Sequence, residues 1–516
     1  MPQNFIGFDR QQMLLMPPDL RDWLPDDHLA WTILDSVAEM DLSPFYAAYR
    51  PDGHGRPAYE PSLMVGVLLY AYARGNRSSR MIERECQEDV AYRVIAANLV
   101  PDHSTIAEFR KRHEVAIAGL FGEVLALCEQ AGMVKVGVIA VDGTKVHANA
   151  SNHASRDYRQ IAQEILADAD RVDQHEDDLY GDARGDELPE QLRTAEGRRA
   201  ALRDAKRRLE QQRAAQPPAE RSDDPAPSAA VVVELDPEKI VGRVQGRRGW
   251  FREARSQLDE HRRLQAMPIP RSRAERLWES ERRLREELTV EGLANEAYES
   301  YRARGVMKDG RRFGGPPKPY VSPQEPEGKM NLTDPDSRNM RAFRGYIQGY
   351  NAQAVVTEQQ IVIAAEVNSD SPDFGHLEPM ITAARSELEN AGVTEQLDVV
   401  LADSGYWHHQ QMDQLAGDGV QVLIPPDAAK RKGIRPGWDG GRYAWMRHLL
   451  AGKLGGGHYR KRSPTIEPVF AQIKFNRKID RFQRRGQSAA RSEWRLAAAT
   501  HNLLKLHNHH IAAQPG

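Results

Sequence analysis

The sequence predicts an α/β core built on a mixed sheet, with an α-helical N-terminal domain before it and a long helical insertion after the first core strand. Three observations predict this. The apolar period is helical up to about residue 130 and then changes. Residues 133–148, MVKVGVIAVDGTKVHA, are β-branched and run or alternate apolar, as a strand does. The remaining β-rich runs come only after residue 345, interleaved with helical segments, and the stretch between is rich in Arg, Glu, Ala and Leu at helical spacing.

Each element has a local cause. An irregular lead passes into a helix near Leu29–Ala38. Residues 45–60 carry turn chemistry in Pro51, Asp52, Gly53, Gly55 and Pro57, since Gly and Pro punctuate regular structure. A helix follows from Ser62, with Leu63, Val67 and Tyr70 on one side. Another starts at the Ser78/Ser79 cap. A third starts at Ser104, where Pro101-Asp102 precedes a Ser/Thr cap, Glu108 lies in the first turn, and Phe109 leads into the basic run Arg110, Lys111, Arg112. Residues 60–130 have the size of a helix-turn-helix module. They read either as an ordinary packing domain or, through Arg110 and Lys111, as a DNA-facing one. The N-terminal domain as a whole is assigned to 1–130.

The first strand stops its apolar run at Asp142-Gly143. Tyr350–Val356 and Ile361–Val367 form a hairpin about Glu358-Gln359. Then come a helix at Leu377–Asn390, a fourth strand at Leu397–Ala402 ending on Asp403, and a short helix at His408–Leu415. A fifth strand follows at Val420–Ile424, and a last large helix starts near Ser463–Thr465. Three strands followed by alternating helices and strands is the order of a ribonuclease-H-like layer structure, with the core at 131–154 and 306–510. The insertion is 155–305. Its arms, 157–213 and 247–304, flank AAQPPAERSDDPAPSAA at 214–230, a composition that cannot support a core and predicts a disordered tip. The charged arms are either solvated faces or a coiled-coil hairpin, or else arms that embrace DNA or dimerise.

Composition narrows the class. Of 516 residues, 40% are hydrophobic and 28% charged. No run approaches the ~18 apolar residues of a membrane span, and the start, MPQNFIGFDR, has no basic-then-apolar export pattern. Cys86 and Cys128 are the only cysteines, too few for a disulfide framework or a Cys-based zinc site. The net charge of −3 conceals an asymmetry. Residues 1–50 hold three Arg against eight acids, whereas 452–510 hold thirteen Lys/Arg against three acids. A basic end of this kind suggests a nucleic-acid surface.

Three carboxylates fall where a metal-dependent phosphodiester site needs them. Asp142 ends strand one, Asp403 ends strand four, and Glu467 lies in the first turn of the last helix. Ligands of open α/β sheets bind beyond the carboxyl ends of strands. Hard divalent cations take oxygen ligands, and a pair of them activates the attacking oxygen and stabilises the leaving one. Glu467 and Lys474 are seven apart and project from nearly one helix face. Arg462 and Lys474 are placed to neutralise backbone phosphates, and Tyr459 to stack or hydrogen-bond. Trp407, just after Asp403, is either a core residue or a base-stacking one. Asp370 and Asp373 are further acids in the loop after strand three, ranked below Asp403. GKLGGG at 452–457 lacks the Gly-Lys-Ser/Thr ending of a phosphate loop, so no nucleotide cofactor is expected.

These motifs together resemble the bacterial insertion-sequence DDE transposases that carry a Tyr-Arg-Glu-Lys signature around the last acid. The matching pieces are VDGTKVHANAS around Asp142, DPDSRNM and GYIQGYNAQAVV before the second strands, LADSGYW around Asp403, and Tyr459-x2-Arg462-x4-Glu467-x6-Lys474. The usual signature has three residues between Arg and Glu, and here there are four. The N-terminal EPSLMVGVLLYAYARGNRSSRMIERECQEDVAYRVIAANLVPDHSTIAEFRKRH resembles the N-terminal domain common in such transposases.

The resemblance implies a ribonuclease-H-like core holding two Mg²⁺ ions, replaceable by Mn²⁺, on Asp142, Asp403 and Glu467. It implies cutting at the element's ends and attack of the freed 3′-OH on target DNA, without a covalent intermediate. It also implies terminal inverted repeats and target DNA as partners, a homodimer or larger synaptic complex, and action in the cytoplasm on chromosome or plasmid. The alternatives are a catalytically idle DNA-binding relative and a general nuclease on the same core.

Overall fold

The computed structural model describes residues 19–49, 57–180, 235, 246–265, 269–270, 272–306, 312–316, 319–342, 345–426 and 440–513. The chain falls into two compact units. One is built from residues up to Ala154 and from Thr333 onward, the other within Ser155–Leu332. The N-terminal helices therefore share a unit with the sheet instead of standing apart as 1–130.

That first unit opens with α1 (Leu29–Glu39), α2 (Ser43–Tyr46), α3 (Pro61–Ala73), α4 (Ser79–Glu88), α5 (Val90–Ile95), α6 (His103–Arg112) and α7 (Glu114–Gln130). Helix α3 has Pro61 at its first position, where the missing N–H costs little. It is apolar all round and buried from Met64 to Ala73, as a central helix must be. Helix α6 is capped by Asp102, which accepts from Thr105 N at 2.9 Å, so it starts just ahead of the expected Ser104.

Strand β1 (Val138–His147) follows, and the chain then enters the second unit. Here β2 (Ser155–Asp157) pairs antiparallel with β3 (Lys329–Asn331). This pairing carries the insertion to Leu332, beyond the expected 305. Between the two strands lie α8 (Tyr158–Tyr180), α9 (Arg247–Gln265) and α10 (Arg273–Ala303). The arm expected at 247–304 is two helices, with Pro268 and Pro270 between them. Trp250, Ala254 and Leu258 of α9 pack on Val290, Ala294, Tyr298 and Tyr301 of α10, a helical hairpin with a buried seam. The tip expected at 214–230 lies outside the described residues.

The chain returns as β4 (Arg338–Ala342), β5 (Gly345–Thr357) and β6 (Val362–Asn368), then α11 (Leu377–Asn390), β7 (Val399–Ala402), α12 (His409–Gly417) and β8 (Gln421–Leu423). The sheet order is β4-β5-β1-β7-β8, with β6 also on β5. β1 runs antiparallel to β5 and parallel to β7, so the sheet is mixed. The edge strand β4 was not anticipated, because RNMRA carries only one buried apolar residue, Met340.

Four helices close the unit: α13 (Gly441–Ala451), α14 (Lys453–Arg460), α15 (Arg462–Ala471) and α16 (Gln487–Ala513). The single last helix expected from Ser463–Thr465 is thus broken in two. α15 passes into a π-helical turn at Gln472–Asn476, and Lys478 (φ 56°) and Gly486 (φ 90°) take left-handed backbone. Instead of continuing the helix, the intervening segment joins the end of β1. His147 N donates to Asp480 O at 3.0 Å, and Phe482 N donates to His147 O at 2.8 Å. The 452–457 glycines lie in and before α14, not in a phosphate-binding loop.

Just ahead of β4, buried Asp334 accepts from the Tyr350 hydroxyl at 2.7 Å and from Gly486 N at 3.3 Å. Burial pushes its carboxyl up to about 7. The folded state therefore keeps a proton that the unfolded chain releases. The stabilisation is complete below the ordinary carboxylate range and is lost as pH rises towards 7. Asp334→Asn is expected to remove that decline. Denaturant titrations at pH 5 and pH 8 should show the wild type losing on the order of 2–3 kcal/mol more than the variant, and equal losses would refute the assignment.

Candidate active site

The register of β1 and β7 builds the site. The last parallel pair is Val141 with Ala402. The next residue on each strand is an aspartate, Asp142 and Asp403, so the two stand side by side at the carboxyl end of β7. Asp142 does not end its strand as expected. β5 continues to supply antiparallel partners, from Ala354 opposite Asp142 to Gly349 opposite His147. Asp403 caps the short turn Ser404–Tyr406, its Oδ1 accepting from Gly405 N at 2.7 Å. Asp142 Oδ1 accepts from Gly143 N at 2.8 Å. Burial pushes the Asp142 carboxyl up to about 6, against the pull of Arg462 and with the charge of Asp403 adding. Burial raises Asp403 too, and the Asp373 charge adds to the effect.

The signature residues reach this edge unequally. Arg462, at the start of α15, donates Nη1 to Asp142 Oδ2 at 2.8 Å. Its Nη2 lies 3.8 Å from Glu467 Oε1, and the Glu467 side chain is 61% exposed. Helical geometry explains the difference. Residues four apart share a face, whereas residues five apart are turned ~140° from each other. The extra residue between Arg462 and Glu467 sends the arginine to the sheet and the glutamate to solvent. Lys474 lies in the π-helical turn, not on a regular face shared with Glu467. It donates Nζ to Thr144 Oγ1 at 2.9 Å and to Lys145 O at 3.0 Å. Burial pulls the Lys474 ammonium down. Burial raises the Tyr459 phenol, with Arg462 opposing.

Asp373, ranked low from sequence, belongs to the same cluster. Its Oδ1 accepts from Asn351 Nδ2 at 2.8 Å, Gln353 Nε2 at 3.0 Å and Lys145 Nζ at 3.3 Å. The Tyr406 hydroxyl donates to Gln353 Oε1 at 2.7 Å. Gly143 leaves room for this. A Cβ there would stand 2.6 Å from Asp373 Oδ1 and 2.8 Å from Asn351 Oδ1. The available signal was Asn351 and Gln353, two polar residues two apart in the apolar run 350–356, and so on one face.

The other expected DNA contacts fare differently. Trp407 is buried and stacked on Tyr443, ring centroids 5.2 Å apart, which is its core-packing reading. Arg110 must be corrected. It is 8% exposed, and its guanidinium is spent on Arg77 O at 2.7 Å and on Ser79 Oγ. α6 turns that side of its basic run inward, leaving Lys111 and Arg112 exposed. Among the described residues, no group of three or more His, Cys, Asp or Glu side chains is gathered closely enough to hold a metal ion. Asp142 and Asp403 come together, and Glu467 meets them only through Arg462.

Two family models match parts of the chain. Residues 18–112 match the one described as Transposase domain (DUF772), and residues 434–507 match the one described as Transposase DDE domain. The second span contains Tyr459, Arg462, Glu467 and Lys474. No curated protein and no solved structure matches the chain. The two matches support a DNA transposase of the DDE kind, acting on DNA with divalent metal as such enzymes generally do. No described helix is long and apolar enough to cross a membrane.

Proposed function

We propose that the protein is an insertion-sequence transposase. It cuts DNA at the ends of its own element on a ribonuclease-H-like core and joins the freed 3′-OH to target DNA. The observation that carries this reading is the pairing of Asp142 with Asp403 at one strand end, tied through Arg462 to the segment that matches a DDE domain. The donor set suits Mg²⁺ or Mn²⁺. Two half-buried carboxylates, both raised by desolvation and Asp142 further by the charge of Asp403, offer hard oxygen ligands. Asp142 and Asp403 would hold the ion, and Glu467 is the third carboxylate on the matched segment. A bound divalent ion supplies Lewis-acid activation and neutralises charge on the transferring phosphate.

The chain's own residues do the rest. Arg462 holds the Asp142 carboxylate in one rotamer, Gly405 N fixes Asp403, and the Lys145–Asn351–Gln353 donors hold Asp373 beside them. Lys474 is bonded to β1 at Thr144 and Lys145, two and three residues past Asp142, and would meet a scissile strand's phosphates there. Joining two ends calls for a dimer or larger synaptic complex.

The exposure of Glu467 favours a second reading, an idle DNA-binding relative. The test is to sequence the DNA flanking the reading frame for short inverted repeats and to use any such ends as substrate. Purified protein with Mg²⁺ should nick duplexes carrying those ends and leave scrambled ends intact. Equal cutting of both would mean a general nuclease. Salt-sensitive binding with no strand breakage would mean the idle relative.

A further inference from the structure

We propose that Phe475 is a stacking platform for an unpaired DNA base, next to Lys474, which bonds to β1 two and three residues past Asp142, an inference that rests on the DNA-cutting reading above. Phe475 is 78% exposed, and it sits in the segment that carries Lys474 to β1. A single surface phenylalanine is unremarkable on its own. What distinguishes this one is how firmly its neighbours are held. Ile473, Arg477, Ile479 and Phe482, around it in the chain, are all buried. Arg477 donates to Thr500 Oγ1 at 2.7 Å and to Ala497 O at 3.1 Å. Arg77 donates to the carbonyls of Lys478 (2.8 Å) and Arg481. Above, Lys474 is bonded to Thr144 Oγ1 and Lys145 O, and residues 480 and 482 bond to His147. The segment is stapled at both ends to the strand that bears Asp142.

A π-helical turn in this place inserts an extra residue into the helix, a distortion found often at functional sites. Here it lets Ile473 face inward and Lys474 reach β1 while Phe475 faces out. The exposed residues that follow include Lys478, Arg481 and Arg485. A preorganised aromatic face within a run of exposed cations is the arrangement that binds single strands. The cations track phosphates, and the ring stacks on whichever base is presented. Duplex DNA offers its π-faces only where bases are unpaired, so the partner is a frayed or opened strand at the cut site. Rigidity matters because a fixed ring loses little conformational freedom on binding.

The test uses the full-length protein and a mixed-sequence oligonucleotide containing 2-aminopurine, single-stranded or annealed. Phe475→Ala should weaken single-strand binding roughly 5- to 150-fold and abolish the 2-aminopurine fluorescence change. Phe475→Trp should keep both. The salt dependence of Phe475→Ala should match wild type, whereas Lys478→Ala should lower the slope by about one. Circular dichroism of each variant excludes misfolding as the cause. Wild-type affinity and fluorescence response in Phe475→Ala would overturn the proposal, as would duplex binding by the wild type without single-strand binding. Absence of binding to either form by the wild type would instead sink the DNA reading itself, and the stacking role with it.

Discussion

Asp142→Asn and Asp403→Asn should each reduce metal-dependent cleavage of end-bearing DNA by about 10³-fold or more. That corresponds to the several kcal/mol of charge stabilisation a metal-bound phosphoryl transfer depends on. Asparagine keeps the shape and still accepts a hydrogen bond from Gly143 N or Gly405 N, so folding should survive. DNA affinity should hold or rise, because each change removes a negative charge from the path of a phosphate backbone. Gel-shift and nicking assays on the same preparations separate the two effects. Glu467→Gln is the informative third variant. An equal loss would place Glu467 in the working centre despite its solvent-facing position. Unimpaired cutting would leave the chemistry to the strand-end pair and its neighbours. Full nicking by all three single variants would refute the acidic centre.

The largest effect on stability is expected from Glu493→Ala. Glu493 Oε1 pairs with Arg77 Nη1 at 3.0 Å, both side chains being buried. Glu493 Oε2 accepts from Gln483 N at 2.8 Å and from Arg484 N at 3.3 Å. Removing the carboxylate strands a buried guanidinium charge and two backbone donors at once. Breaking one side of such a pair typically costs about 3–5 kcal/mol. Urea midpoints should fall accordingly. Replacing both partners with apolar residues, as in Arg77→Met with Glu493→Leu, should recover only the part due to the unpaired charge, because the Gln483 and Arg484 N–H groups stay without the carboxylate. A fall below about 1 kcal/mol in the single variant would show that water reaches the pair.

Much of this architecture was readable in advance, for identifiable reasons. The strands at 350–356, 361–367 and 397–402 and the helix at 377–390 announced themselves because buried elements carry continuous apolar runs or clean periods. Asp142 and Asp403 stood out as acids where those runs stop. What escaped has a shared cause: it depends on contacts between distant segments. β4 is strand-like only because β5 offers it an edge. The π-helical turn and the break after Asn476 go with bonds to Thr144 and His147, far away in sequence. Asp373 gains its place from donors on β1 and β5, and no local pattern around residue 373 reveals them. Arg110 looked exposed because a basic run shows its charge and not its direction. The helix period did hold the key to Glu467, whose one-residue offset from Arg462 was visible and whose angular consequence appeared only in three dimensions.

Helix α16 packs against α7, α3 and β6, and its Trp494 donates to Gln353 O at 2.9 Å. A ribosome making this chain must therefore pass residue 513 before the earliest helices can find their permanent seat. Until then the nascent aspartates lie on an unclosed scaffold. A newly made molecule would become competent only once α16 has been made and has docked.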